Sequence, residues 1–417
     1  MKKSSFIYGM LTGAAGVLLV VLLVCSARQI VNIYSGNSLS GRSSVDASDE
    51  DLEISDEVVQ KKLDLIEKYI DRFYLDTTKN GSSADKLEDG IYQGYVNGLG
   101  DPYSVYYSEE EYESLQTATQ GDYCGIGATV SQNPSTGIIT IVKPFEGAPA
   151  AEAGVKAGDV LYTVENEEVT GQDLTAVVTK LKGKENTEVH IQVVREGEEE
   201  PVDYTVVRRK VEVPTVTHKM LSGQIGYVQV ESFDVVTKKQ FRSAVDELEA
   251  QGMKALIIDL RDNGGGVLDA ATDMLDRLLP EGKLVYTKDK NGEGEAYYCE
   301  DKDSLELPMA VLVNGSSASA SEIFAGALQD YGAAKLVGTK TFGKGIVQSI
   351  LSLGDGTAIK LTTARYYTPD GRNIHGTGLE PDIEVELDEN VKDWSTAKES
   401  EDNQLQKAME TVRSEMQ

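Results

Sequence analysis

The 417-residue chain is 40% apolar and 26% charged, a globular balance, and at roughly 150 residues per domain it holds two or three domains. It carries 40 Lys and Arg against 69 Asp and Glu, a net charge of −29. No basic patch offsets this charge, so phosphate backbones repel the chain and nucleic acid is excluded as a partner. Cys25, Cys124 and Cys299 make no disulfide framework, no CxxC occurs, and His190, His218 and His375 lie far apart. The sequence therefore offers no zinc site.

In chain order, Lys2 and Lys3 precede an uncharged run, residues 4–27, that ends before Arg28. At 1.5 Å rise per residue this run makes about 36 Å of helix, enough to span a bilayer. Residues 1–34 are expected to be a single-pass anchor with a cytoplasmic N-terminus, because lysines precede the span and acidic residues follow it from Asp46 onward. A cleaved signal peptide, with a small-residue site near Ala27, is the alternative. Residues 35–51, rich in Ser, Gly and Asp, read as a flexible linker.

Residues 52–120 read as a small helical region. Val58, Leu63, Ile66, Ile70 and Phe73 recur at helical spacing, as do Ile91, Tyr95 and Leu99 before Gly100-Asp101-Pro102. Residues 121–210 change to short β-runs (138–142, 160–164, 189–194 and 204–207) with a helix over 173–181, a compact module. Across 211–385, β-runs at 225–230, 255–260, 309–313 and 335–337 alternate with helices at 239–250, 267–279 and 319–331. This predicts a layered α/β domain, followed by a hairpin of 346–353 and 357–363 across Gly354-Asp355-Gly356. Residues 386–417 form an acidic tail ending in a helical pattern and read as peripheral.

Three segments of the α/β domain can carry chemistry. Leu260-Arg261-Asp262-Asn263-Gly264-Gly265-Gly266 ends a buried strand, where glycines expose backbone amides that can cradle an oxyanion. Alone it is a tight turn without the spacing of a nucleotide site. Asn314 to Glu322 holds Ser316, Ser317, Ser319 and Ser321 at a helix start. Such serines usually cap, but one placed there is also suited to nucleophilic attack. Lys344 stands between Gly343 and Gly345, beside Phe342, Ile346 and Val347. Such a lysine is normally a solvated turn residue, but apolar neighbours that desolvate it would make it a usable base. A serine nucleophile needs a base. The three histidines are weak candidates, and lysine is the known alternative.

Together these segments resemble the carboxy-terminal processing peptidases, or tail-specific proteases. The matching stretches are LGDPYSVYY (99–107), GDYCGIGATV (121–130), PFEGAPAAEAGVKAGDVLYTVE (144–165), LRDNGGG (260–266), NGSSASASEIFAGALQDYG (314–332), TFGKGIVQ (341–348) and LTTARYYTPDGRNIHGTGLEPD (361–382). The resemblance covers roughly residues 55–385. It implies an α/β serine-peptidase core with a PDZ domain over 121–210, Ser319 as nucleophile, Lys344 as general base and Gln348 orienting that lysine. It further implies an oxyanion hole from the amide of Ala320 and that of Gly264 or Gly265. The loop Gly125-Ile126-Gly127 would receive a substrate's terminal carboxylate.

No metal or organic cofactor is implied, and the partners are proteins or peptides with free C-termini. The expected function is a membrane-anchored endopeptidase cutting proteins near their C-termini. The alternative is a non-catalytic PDZ scaffold, which would need neither Ser319 nor Lys344. Homo-oligomerisation stays open.

Overall fold

A computed structural model describes residues 55–75, 84–300 and 304–416. The chain divides into two units, residues 1–82 and 83–417. In the first, the described element is the helix Asp56–Phe73. The expected anchor and linker lie outside the described residues. Among the described residues no helix is long and apolar enough to cross a membrane.

The second unit has a mixed α/β architecture. Its central sheet orders the strands Val216–Leu221, Ile225–Val230, Ala255–Asp259, Met309–Val313, Ala334–Gly338 and Ile383–Glu384. All neighbours are parallel except the first pair. Both faces of the sheet are covered, which explains why Ala255–Asp259 and Met309–Val313 are buried at every position and read as apolar runs.

On one face lie the helices Thr237–Ala250, Leu268–Asp276 and Ala320–Asp330. The first buries Thr237, Phe241, Ala244, Val245 and Leu248, a single helical stripe. Phe241 and Phe324 meet edge to face over this core. The opposite face, from Ile225, Tyr227, Ala255, Ile257, Ala310 and Leu312, is covered by Leu405, Ala408, Met409 and Val412 of the helix Asn403–Glu415. The C-terminal helix thus closes the second layer of the core instead of lying at the periphery.

A second sheet orders Val105–Tyr107, Ala358–Tyr367, Gly282–Asp289 and Ala296–Cys299, with Ile346–Ser352 also paired to the long strand Ala358–Tyr367. That last pair is the hairpin read from the sequence. Its second strand runs further, to Tyr367. The expected PDZ region is an antiparallel sheet of Ala128–Gln132, Ile139–Pro144, Val160–Val164, Glu188–Val194 and Val202–Val207. The helix Leu174–Leu181 packs on its core through Val177 and Leu181. A ribbon of Asp122–Gly125 and Arg209–Glu212 joins the incoming and outgoing chain.

Candidate active site

The strand Met309–Val313 ends in a turn that enters the helix Ala320–Asp330. Ser319 stands at the helix start with φ 57° and ψ −116°. A non-glycine residue held in so sparsely populated a region costs about 1–3 kcal/mol, sustained only by surroundings that over-determine it. Those surroundings are the other serines and the glycine turn. Ser317 Oγ donates to the carbonyl of Leu260 at 2.7 Å, and Ser321 Oγ to that of Asn263 at 2.8 Å. Both serines are buried and tie the helix start to the glycine turn, whereas Ser319 lines an open cleft.

Gly265 packs flush against the same turn. A Cβ there would lie 2.6 Å from the carbonyl oxygen of Ala318 and 2.8 Å from the nitrogen of Ala320, so only glycine permits the approach. The Gly265 amide donates to Asn263 Oδ1 at 2.8 Å. Of the two glycines the sequence left open, Gly264 is therefore the one whose amide is not spent on Asn263, and it lines the cleft with Ala320. Ala320 begins the helix, where backbone amides have no intrahelical acceptor.

The cleft holds about 460 Å³ and brings Gly264, Ser319, Ala320, Lys344, Gln348 and Lys360 together. None of the three histidines lines it. Lys344 is half-buried. Its pKa is lowered, first by burial and then by the charge of Lys360, against a smaller opposing pull from Asp101. Its Nζ lies 4.8 Å from the ring centroid of Tyr103. Among the described residues no hydrogen bond joins it to Ser319 Oγ. Gln348 does not bond Lys344 either; its Nε2 donates to the Tyr103 carbonyl at 2.5 Å and so bears on the ring that holds the lysine.

Two further residues couple the loops, and sequence reasoning gave neither a role. Glu322 is fully buried. Its Oε2 accepts from the amides of Ser319 at 3.0 Å and Lys344 at 2.8 Å. Its Oε1 accepts from Thr341 Oγ1 at 2.5 Å and the amide of Gly343 at 2.8 Å. One carboxylate thus fixes the backbone at both the serine and the lysine. The spacing Ser319-Ala320-Ser321-Glu322 is the capping-box signature that could have revealed it. Tyr366, also buried, places its hydroxyl 3.1 Å from the carbonyl of Ser319 and 2.7 Å from that of Lys344. No local pattern marks it.

In the PDZ module, the carbonyls of Ile126 and Gly127 accept from the amides of Ala150 and Phe145 at 2.7 and 2.9 Å. These bonds hold the Gly125-Ile126-Gly127 loop in shape. The Tyr123 ring folds over Gly125. Burial raises the pKa of the Tyr123 hydroxyl, and the facing amides of Ala128 and Gly127 partly offset the shift.

The fold and cleft define an α/β protein that pairs a strained helix-start serine with a desolvated lysine and carries a PDZ module. Residues 224–385 match the model for peptidase family S41, and residues 140–195 that for a PDZ domain. The carboxy-terminal processing protease CtpA of Bacillus subtilis (strain 168) is 34% identical over 377 residues, covering 90% of this chain and 78% of the relative. A probable CtpA-like serine protease of Staphylococcus aureus (strain bovine RF122 / ET3-1) is 38% identical over 307 residues, 73% of this chain. The match spans 61% of the length of that relative. A crystal structure of a putative S41 protease from Bacteroides fragilis shares the fold, with a TM-score of 0.50 at 18% identity over 85% of this chain and 97% of that one. The chain belongs to peptidase family S41, the carboxy-terminal processing peptidases.

Proposed function

We propose that the protein is a serine endopeptidase that cuts other proteins near their C-termini by a Ser319–Lys344 dyad. The observation that carries this is the presence in one cleft of a strained serine and a lysine whose ammonium is disfavoured, with both backbones tied to Glu322. Neutral Lys344 takes the proton of Ser319 Oγ as that oxygen attacks the scissile carbonyl carbon. The oxyanion accepts from the amides of Ala320 and Gly264. The C–N bond then breaks and the Lys344 ammonium returns its proton to the leaving amine. Water gives a proton to Lys344 and attacks the acyl carbon; the C–Oγ bond breaks, the carboxylic product leaves, and Lys344 returns the proton to Ser319 Oγ. The test is cleavage of an unstructured protein by the full chain, with Ser319→Ala as the control. Equal cleavage by that variant would overturn the reading.

The pH dependence follows from the sign of the lysine's shift. The base works only when neutral, so activity should rise with pH through the lowered pKa of Lys344. Lys360 disfavours the ammonium by repulsion. Lys360→Gln should therefore raise that pKa and move the rising limb of the kcat profile to higher pH. A limb that stays in place, or moves to lower pH, would contradict the assignment of the base.

The proposed tail site is the Gly125-Ile126-Gly127 loop, whose amides would receive the substrate's terminal carboxylate while the tail adds as a strand. Binding there raises the tail's effective concentration at Ser319. Amidating a peptide's C-terminus removes the charge and leaves the scissile bond unchanged. The amidated peptide should be cut more slowly at low substrate concentration; equal rates would remove the loop from substrate selection.

Residues 4–27 would anchor the chain in a membrane, with the catalytic part outside the cytoplasm. Protease added to spheroplasts should then digest the part beyond the anchor. Protection of that part would place it inside.

A further inference from the structure

The strained glycine turn is braced from an unexpected side. Arg261 is buried between Asp259 of the central sheet and the C-terminal segment. Its Nη2 lies 2.6 Å from Asp259 Oδ2 and 2.8 Å from Asp402 Oδ2, and its Nη1 lies 3.0 Å from Gln404 Oε1. The Trp394 ring covers the guanidinium, with its centroid 4.0 Å from Cζ. The indole Nε1 then donates to Asp262 Oδ2 at 2.7 Å. Asp262 is a non-glycine residue with φ 60°, and Asn314 grips it from the other side. Asn314 Nδ2 donates to Asp262 Oδ1 at 2.9 Å, and the Asp262 amide donates to Asn314 Oδ1 at 3.0 Å.

Gly264 follows two residues later. Nothing lies within 4 Å of where its Cβ would be, so packing at its own position does not orient it. Its direction is inherited from its neighbours. Asn263 is tied by Nδ2 to the carbonyl of Val230 at 2.8 Å, and Asp262 is held by Trp394 and Asn314.

We infer that Trp394, in the chain that follows the catalytic domain, is a positioning residue for the oxyanion donor Gly264, acting through Asp262, with Asp402 and Arg261 fixing the indole in place. The inference rests on the proposed role of Gly264. The segment lies beyond the stretch 224–385 that matches the peptidase family model, so the brace is supplied by a part of the chain outside that match. An oxyanion donor is sensitive to placement, since a displacement of about 1 Å can cost on the order of 100-fold in rate. Losing one of two grips on Asp262 should cost less.

The test is Trp394→Phe in the full chain, which keeps an aromatic ring beside Arg261 and deletes the indole N–H together with one ring of the bicycle. Per active site titrated with a fluorophosphonate, kcat should fall about 10-fold, a fraction of that full displacement, with KM unchanged. A peptide boronic acid, which forms a tetrahedral adduct on a serine, should lose affinity by a matching factor. A purely structural role predicts a lowered thermal midpoint and fewer titratable sites with normal kcat at those that remain; that result, or an unchanged kcat and boronate affinity, overturns the inference. Ser319→Ala is run alongside. If it still cleaves, the reading of the cleft falls and the inference with it. If it is inactive while Trp394→Phe matches the native enzyme, the inference alone falls.

Discussion

Ser319→Ala and Lys344→Ala should each reduce peptide-bond cleavage by about 1,000-fold or more while leaving the thermal midpoint near that of the native chain. Residues that act as a unit are not additive, so the double variant should be no worse than either single one. Neither side chain holds the fold together. Ser319 lines the cleft, and Lys344 Nζ rests on the Tyr103 ring. Ser317→Ala should behave differently. Its hydroxyl donates to the Leu260 carbonyl and accepts from the Asn314 amide, so its loss should lower stability by about 1–3 kcal/mol or more with a far smaller loss of rate. Steady-state kinetics with a quenched peptide, read beside thermal unfolding, separates the two behaviours. Near-native turnover by Lys344→Ala would remove the lysine as base.

Glu322→Ala is expected to be nearly as damaging to rate and much more damaging to stability. It strips the acceptor from the amides of Ser319, Gly343 and Lys344, and each buried donor left unpaired costs about 1–3 kcal/mol. The serine turn would also lose the carboxylate that helps sustain its backbone. Glu322→Gln is the sharper probe. It keeps the shape and one acceptor oxygen, but turns an NH2 group toward a backbone donor. A loss of kcat of about 10-fold or more is expected, because misplacing reacting groups by a fraction of an ångström carries penalties of this size. KM should change little, since Glu322 is buried and does not line the cleft. A Gln variant with native kcat would show that the carboxylate is only a helix cap.

Much of this arrangement was legible in the sequence because the central sheet obeys local rules. Ala255–Asp259 and Met309–Val313 are buried on both faces and so are written as apolar runs, broken only by Asp259. The helix Thr237–Ala250 carries its stripe openly. The helix start marked four serines and the flanking glycines marked Lys344; the choice of Ser319 among the four came from the resemblance to the carboxy-terminal processing peptidases. The strand Gly282–Asp289 was not legible: Lys283, Lys288 and Asp289 interrupt its apolar pattern, and pairing with the distant Ala358–Tyr367 defines it.

The C-terminal helix was misread for a related reason. The acidic composition of residues 386–417 suggested a solvated tail, yet Leu405, Ala408, Met409 and Val412 share one face and complete the core. Tyr366 lines the cleft and Tyr103 meets Lys344 from elements remote in sequence, and no local pattern reports such a meeting. Gln348 was expected on Lys344 and instead bonds the Tyr103 carbonyl, a contact between residues far apart in the chain.

Under the proposed mechanism Ser319 forms the covalent bond to substrate and Lys344 activates it. The most direct measurement is mass spectrometry of the full chain after reaction with a fluorophosphonate or after rapid acid quench during turnover. The adduct should map to Ser319, be absent from Ser319→Ala, and form far more slowly in Lys344→Ala, with the rate rising as pH rises in the native chain. An adduct on Ser317 or Ser321, or labelling of Ser319 at a native rate without Lys344, would contradict it.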